Sequence, residues 1–391
     1  MNIQLNSSFK QLKNYIEIQN FKGYDPFDGL NSRLFQSVPL LKNNKWIRLA
    51  WLQFFKRSPI NFRPLVGIKK DYNPKGLGLF LLGYINLYNR NPEAEHLEKI
   101  KFLSEKILLL QSEGYSGACW GYHFDWQARA FFQPKFTPTV VATSFIVEAL
   151  LSAYDLLKDE KLLQIAVSAK EFILNDLNKS FDKDGDYTLS YSPLDKTQVF
   201  NAGLLGAKTL CLIYERTQEK HLLEEARKIV NYTAKNQQKN GAWAYGTLPF
   251  HQWVDSFHTG YNLEAIQVYQ DISGDKSFEN HLKKGLDYYL NNFFTAEGIP
   301  KYYNDKIYPV DVHAPAQLIV TLHKMNKLPE NEPLAKRVLS WTVKNMQSKN
   351  GYFFYQKDRF YTNKIPYIRW TQAWMFYAMS LLSDKFYDKP E

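Results

Sequence analysis

Most of this chain alternates between two kinds of predicted helix, and this alternation limits the folds available to it. One kind is apolar nearly all round, and such a helix must be buried on both sides. The other is amphipathic, as expected for a surface helix. The buried, or inner, helices are predicted at residues 74–90, 138–157, 201–216, 259–272, 314–325 and 369–383. Markers near their starts (Asn73, Thr139, Asn201, Thr259, Ala314 and Trp370) are 66, 62, 58, 55 and 56 residues apart. This spacing indicates a repeated helical hairpin.

The connectors between the helices alternate in length. Each inner helix leads to the next amphipathic, or outer, helix through a short turn, whereas the return connectors have about 20 to 30 residues. Long connectors in a compact domain are usually functional. Outer helices are predicted at 93–112, 159–178, 219–239, 276–294 and 330–349, with residues 43–57 as the first. Six hairpins closed in a ring place all long connectors on one face. The sequence therefore predicts an all-α (α/α)6 toroid with a cleft at its mouth and an extra N-terminal helix.

Length and composition are consistent with one domain over residues 1–391, in which the helix and loop of residues 1–40 contribute to the cleft rim. The net charge of +10 favours anionic partners such as an acidic glycan, a phosphate or a membrane surface. No Arg-rich run or known motif indicates nucleic acid. We find neither a signal-peptide pattern nor an apolar run of ~18–20 residues, so a cytoplasmic location is expected. The sequence does not define the oligomeric state.

Histidines in the long connectors have carboxylates close to them in sequence. We predict these pairs as catalytic: Asp255 with His258, Asp311 with His313, and His123 with Asp125. Hydrolysis with inversion needs two carboxyls ~6.5–9.5 Å apart. Lyase or epimerase chemistry needs a base at C5 of a uronate and a group that neutralises its carboxylate. The structural alternatives are a carboxylate at a helix start for Asp255, a hydrogen bond to a neighbour for His258, and a structural polar layer for Asp311 and His313. No pair has the spacing of a known metal motif, so neither a metal nor a cofactor is predicted.

Aromatic and cationic residues of the same connectors are candidates for substrate binding. Aromatic rings can stack on the C–H face of a sugar, and cations can pair with its carboxylate, which arginine does bidentately. The candidate rings are Trp120, Trp126, Tyr245, Trp253, Tyr302 and Trp370. The candidate cations are Arg369, Arg63 and Lys75, and a turn-rich stretch, residues 23–32, adds Asp25 and Asp28.

The hairpin periodicity, residues 253–265, the stretch 301–313 and the stretch 23–32 together resemble the six-hairpin toroid enzymes, in particular those of bacterial surface-polysaccharide biosynthesis. The resemblance implies a carbohydrate-active enzyme for an acidic glycan, with epimerase, lyase or hydrolase chemistry. Toroids of this shape also include terpenoid cyclases, and a non-catalytic glycan-binding protein is a further alternative. The Asp-x-Asp-Asp run of squalene-type cyclases and the Asn-Asn-His-Ser-Tyr run of toroid alginate lyases are both missing, so no catalytic residue is assigned by motif.

Residues 43–57 interleave aromatic and basic side chains. One interpretation is a helix that lies on a membrane surface, which would give peripheral contact with the inner membrane. The other is a helix packed on the protein body with its charges in solvent, and we favour this second interpretation.

Overall fold

The computed structural model describes residues 2–129 and 131–382. Its helices in chain order are α1 (Asn2–Ile18), α2 (Arg33–Ser37), α3 (Pro39–Asn43), α4 (Lys45–Arg57), α5 (Pro74–Arg90), α6 (Ala94–Leu108), α7 (Val140–Leu157), α8 (Glu160–Glu171), α9 (Phe200–Thr217), α10 (Lys220–Lys235), α11 (Ser256–Ser273), α12 (Glu279–Asn292), α13 (His313–Lys324), α14 (Glu332–Met346) and α15 (Trp374–Ser380). A π-helical stretch, Ile368–Ala373, leads into α15, and residue 383 of the predicted sixth inner helix lies outside the described residues.

Short antiparallel strands occur only in the connectors of the described part. They are β1 (Trp126–Gln127) with β2 (Phe132–Gln133), β3 (Lys179–Phe181) with β4 (Tyr187–Leu189), and a three-stranded sheet of β5 (Val310–Asp311), β6 (Gln356–Lys357) and β7 (Thr362–Asn363). In that sheet Asp311 is the register partner of Gln356. The pairing joins the connector before α13 to the connector before α15.

The predicted toroid is confirmed. Helices α5, α7, α9, α11, α13 and α15 each pack on the next, and α15 returns to α5 to close the ring. Helices α7, α9 and α11 each end at a residue in the left-handed conformation, after which a short turn follows. These residues are Lys158, Gln218 and Gly274, and a left-handed residue is a common way to end a helix. At the opposite ends, side chains of Asn73, Thr139 and Asp255 cap α5, α7 and α11.

The prediction that residues 43–57 form the first outer helix is wrong. Helix α1 packs on α14 and α15. Glu17 of α1 accepts a hydrogen bond from Tyr84 of α5 at 2.6 Å, and Lys13 donates to Glu95 of α6 at 3.1 Å. The N-terminal helix is therefore itself the sixth outer helix. Helix α4 is the additional one, and it packs on Asp28–Asn31 and on β1.

One helix in the described residues, α7, is long and apolar enough to cross a membrane by length and composition, with a mean hydropathy of 1.7. In the fold 72% of it is buried between its neighbours. It is accounted for as a core helix of the inner ring.

Candidate functional site

A cleft of about 1020 Å³ is lined by the long connectors, by the first turns of the inner helices and by α4. Its charged lining is of one sign. The cations are Lys45, Lys56, Arg57, Lys75, Arg129 and Arg369, and the imidazoles are those of His251, His258 and His313. No aspartate or glutamate belongs to the lining in the described part of the chain. The carboxylates of the site lie behind this wall, where they hold lining residues in place.

His258 is held by Asp255 at the start of α11. The Asp255 carboxylate accepts the backbone N–H of His258 at 2.8 Å and contacts the ring Nδ1 at 2.7 Å. An ionised carboxylate can only accept, so it places the ring proton on Nδ1 and leaves Nε2 to take or give a proton. Asp255 is buried, whereas the His258 side chain is 17% exposed and packs on Tyr245 and Phe257 in the cleft. The predicted pair is thus a positioned imidazole, and Asp255 also caps the helix.

His313 forms a second centre with two residues from other inner helices. Its Nε2 lies 3.1 Å from the Tyr261 hydroxyl, which in turn lies 3.3 Å from Lys75 Nζ. The pKa of His313 lies well below its usual value, chiefly because the ring is buried and secondly because of the charge of Lys75. Burial is also the main cause that lowers the pKa of Lys75 well below its usual value, and the charge of Arg369 is the second. Burial at this position thus disfavours the charged form of each group. His313 Nδ1 has no hydrogen-bond partner among the described residues.

One ring connects the two imidazoles. Phe257 lies 4.1 Å from the His258 ring and 4.5 Å from the His313 ring, centroid to centroid. Tyr261 is also a neighbour of both imidazoles, at 5.8 and 6.0 Å. Two potential acid–base groups therefore share one end of the cleft.

Asp311 lies behind the cleft wall and is not paired with His313 through the ring. Its carboxylate accepts the backbone N–H of His313 at 2.9 Å, Gln356 Nε2 at 2.7 Å and Trp370 Nε1 at 3.0 and 3.1 Å. These bonds fix Trp370, which lines the cleft. Burial raises the pKa of Asp311 to about 6 although these donors oppose the shift.

This raised pKa predicts an unusual pH dependence of stability. Because the folded pKa lies above the ordinary value of 3.8, the carboxyl contributes stability below about pH 4 and loses it as the pH rises through about 6. The change is about 3 kcal/mol. We expect the free energy of unfolding of wild type minus that of Asp311→Asn, from urea titrations, to fall by this amount between about pH 4 and 7. A difference that does not vary with pH would contradict the assignment.

Two predicted cations are paired inside the protein. Arg369 donates from Nε and Nη2 to the Asp25 carboxylate at 2.6 and 2.9 Å, and it still contributes to the cleft lining. Arg63 donates to Asp28 at 2.6 Å and to the Asp25 carbonyl at 2.9 Å. Arg63, Asp25 and Asp28, which were predicted to contact substrate, are all buried in ion pairs outside the cleft lining.

Three further predicted residues lie outside the cleft lining. Trp120 is fully buried and donates its indole N–H to the Ile107 carbonyl at 2.9 Å. His123 is buried with its Nδ1 3.3 Å from the amide nitrogen of Asn73. Asp125 accepts from Gln36 and from the Lys135 backbone, at 3.1 and 2.8 Å. The structure therefore places none of the three in the cleft lining, and their predicted site roles stay predictions.

The remaining predicted rings do line the cleft. They are Trp126, Tyr245, Trp253, Tyr302 and Trp370. Tyr245 and Trp253 stack at 4.3 Å with an interplanar angle of 13°. Sequence analysis missed Tyr261 and Phe257 as site residues. Tyr261 falls within the predicted inner helix 259–272, which was assigned to the core, whereas Phe257 lies in the connector predicted before it. The structure places both residues in α11. Phe257 comes one residue before His258, and Tyr261 comes three residues after it. This spacing is the signal that places all three residues at the start of one helix.

Among the described residues no group of three or more His, Cys, Asp or Glu side chains could hold a metal ion.

Comparison with known proteins adds to the evidence on fold. The sequence matches no family model and no curated protein. Among solved structures it is similar to the cellobiose 2-epimerase of Bacillus thermoamylovorans, with a TM-score of 0.62, 12% identity, and coverage of 79% of this chain and 87% of that one. It is also similar to an unsaturated glucuronyl hydrolase specific for heparin (TM-score 0.62, 15% identity, coverage 99% and 97%) and to a D-mannose isomerase (0.58, 12%, 79% and 85%). At these identities the similarity establishes the toroid fold.

Proposed function

We propose that the protein is a carbohydrate-active enzyme that moves a proton at a carbon of an acidic glycan, as an epimerase or a lyase. The observation that carries this proposal is the composition of the cleft lining, which offers imidazoles, cations and aromatic rings but no carboxylate in the described residues. Hydrolysis of the usual kind needs two carboxyl groups beside the scissile bond. A terpenoid cyclase needs an acidic donor or a diphosphate-binding aspartate run. Neither requirement matches this lining.

In the proposed reaction His258 is the first acid–base residue. Its Nε2 takes the proton from C5 of a uronate, and the electron pair left on C5 is delocalised into the adjacent carboxylate. Asp255 acts through His258 as a positioning residue, because it fixes the tautomer and holds the cation that forms. The lining cations stabilise the negative charge that develops on the substrate carboxylate.

The His313–Tyr261 pair completes the reaction from the second imidazole. In epimerisation it gives a proton to the other face of C5, after which His258 releases its proton to solvent and the pair takes one up. In elimination the C4–O bond breaks instead, and the leaving oxygen takes the proton. The hydrogen bond between the Tyr261 hydroxyl and His313 Nε2, and the one that Lys75 Nζ donates to the same hydroxyl, supply a path by which the pair is reprotonated.

The charge of the cleft supports an acidic substrate. Six basic side chains line it. Arg369 is paired with Asp25, and burial lowers the pKa of Lys75 and of Lys56, but Lys45, Arg57 and Arg129 still give the lining a positive excess. The stacked rings of Tyr245 and Trp253 suit the apolar face of a sugar. A role in assembling a bacterial surface glycan in the cytoplasm is part of the proposal, and it rests on the resemblance of the sequence. A glycan-binding protein without activity would not require two imidazoles that share one end of the cleft.

A second candidate is proton transfer at C2 of a reducing-end sugar. It is favoured by the same imidazole pair, since a carbonyl acidifies the adjacent carbon much as a carboxylate does, and by the similarity to a cellobiose 2-epimerase and a D-mannose isomerase.

The test is incubation of the purified protein with uronate-containing oligosaccharides and with neutral disaccharides in deuterated water. Deuterium at C5 of the uronate, read by NMR and mass spectrometry, is the expected result. An unsaturated uronate identifies elimination, and deuterium at C2 of the reducing end identifies the second candidate. New reducing ends without deuterium or unsaturation, or no reaction with any of these sugars, would contradict the proposal.

A further inference from the structure

The segment that covers one side of the cleft mouth carries nearly all of the chain's excess charge. Residues 29–70 contain nine lysines and arginines and no aspartate or glutamate. The whole chain has a net charge of +10. The other residues are therefore almost neutral in sum. Arg63 is buried against Asp28, and the remaining eight cations make the segment a positive surface.

The same segment exposes large apolar side chains. Sixteen such side chains are exposed in the described residues, and seven lie between residues 34 and 65. The most exposed of the seven are Leu65 (82%), Leu40 (75%), Trp46 (74%) and Ile60 (61%). Single exposed apolar residues are ordinary, but a concentration of them among cations indicates an interaction surface.

Contacts within the segment hold its parts together beside the cleft. The backbone N–H of Arg33 donates to the Val66 carbonyl at 3.1 Å, which joins α2 to the loop after α4. Phe54 of α4 stacks on Phe62 of that loop at 5.5 Å. Helix α4 also lines the cleft. The exposed surface and the cleft mouth therefore share one helix.

We propose that this surface, formed by α2, α3, α4 and residues 58–70, docks on a bilayer that contains anionic phospholipids. Cations that flank exposed leucine, isoleucine and tryptophan side chains match the boundary between lipid headgroups and acyl chains. A second copy of the chain is a poor occupant, because two surfaces of the same strong positive charge would repel each other. Docking brings the cleft mouth next to the membrane, where an acidic glycan attached to lipid is within reach.

The inference goes beyond the proposed function and is tested without a turnover assay. Purified protein is sedimented with vesicles of phosphatidylcholine alone and with vesicles of three parts phosphatidylcholine to one part phosphatidylglycerol. We expect binding only to the anionic vesicles, and loss of binding when NaCl is raised from about 0.05 M to about 0.5 M. No binding to anionic vesicles at low salt, or equal binding to both vesicles, would overturn the proposal and leave the proposed function as it stands.

Two double variants test the surface with residues that do not line the cleft. Leu40→Ser with Leu65→Ser is expected to lower the vesicle partition coefficient at least about tenfold. Lys42→Gln with Lys69→Gln is expected to lower it about 25-fold, since each cation near a charged bilayer is worth about fivefold.

Matched controls come from exposed residues elsewhere on the protein. Leu109→Ser with Phe181→Ser, and Lys239→Gln with Lys349→Gln, are expected to bind vesicles as wild type does. Equal losses in the test and control variants would overturn the proposal. So would a concentration-dependent dimer, seen by sedimentation velocity, that Leu40→Ser with Leu65→Ser abolishes, because the surface would then be an interface between copies.

Discussion

Replacing His258 by glutamine is expected to lower kcat for exchange of the substrate proton by roughly 10²–10⁴-fold, the usual contribution of a positioned acid–base group. Glutamine can still donate a hydrogen bond to Asp255, but it cannot take a proton from carbon at neutral pH. KM is expected to change little, because the rings and cations that bind the sugar remain. The measurement is the rate of deuterium incorporation from solvent, followed by NMR at saturating substrate.

Two further variants separate the roles within this pair. Asp255→Asn retains a residue suited to capping α11 and removes the acceptor that fixes the His258 tautomer, so kcat is expected to fall with KM unchanged. His221→Gln is the matched control, since its side chain is 55% exposed and does not line the cleft. Wild-type exchange in His258→Gln, in a protein of unchanged melting temperature, would remove His258 from the mechanism.

Much of the fold could be predicted because the inner helices are nearly continuous apolar segments. The predicted range 74–90 coincides with α5, and the other inner ranges agree within a few residues. The first outer helix was assigned to residues 43–57 rather than to α1, because α1 and α4 have similar amphipathic patterns. What distinguishes them is long-range contact, such as Glu17 with Tyr84 and the Gln347 side-chain amide donating to the Ser8 carbonyl at 3.0 Å. Periodicity describes one face of a helix and does not identify its partner.

The site was predictable where its contacts are local. Asp255 and His258 are three residues apart at a helix start, so their contact follows from sequence. The partners of charged residues were not predictable by the same means. Arg369 is paired with Asp25, 344 positions away, and Arg63 with Asp28, 35 positions away. A connector rich in charges therefore predicts a polar site but does not separate the charges that face solvent from those neutralised inside the protein.

The Arg369–Asp25 pair leads to the largest expected effect on stability. Replacing Arg369 by methionine is expected to lower the free energy of unfolding by about 3–5 kcal/mol, because the Asp25 carboxylate stays fully buried without its cation. The arginine also stacks near Tyr122 and Trp370, at 4.9 and 5.2 Å from their ring centroids, and methionine retains part of this packing. Urea titration measures the change, with the same dependence of the unfolding free energy on urea concentration expected in wild type and variant.

The double variant Asp25→Asn with Arg369→Met decides whether the loss comes from the unpaired charge. Removing both charges is expected to recover most of the stability lost in Arg369→Met, since the buried carboxylate is then gone. Asp25 lies in the N-terminal connector and Arg369 at the start of the last inner helix, so the pair anchors that connector beside the cleft. If the double variant is no more stable than Arg369→Met, packing of the guanidinium rather than its charge holds the connector in place.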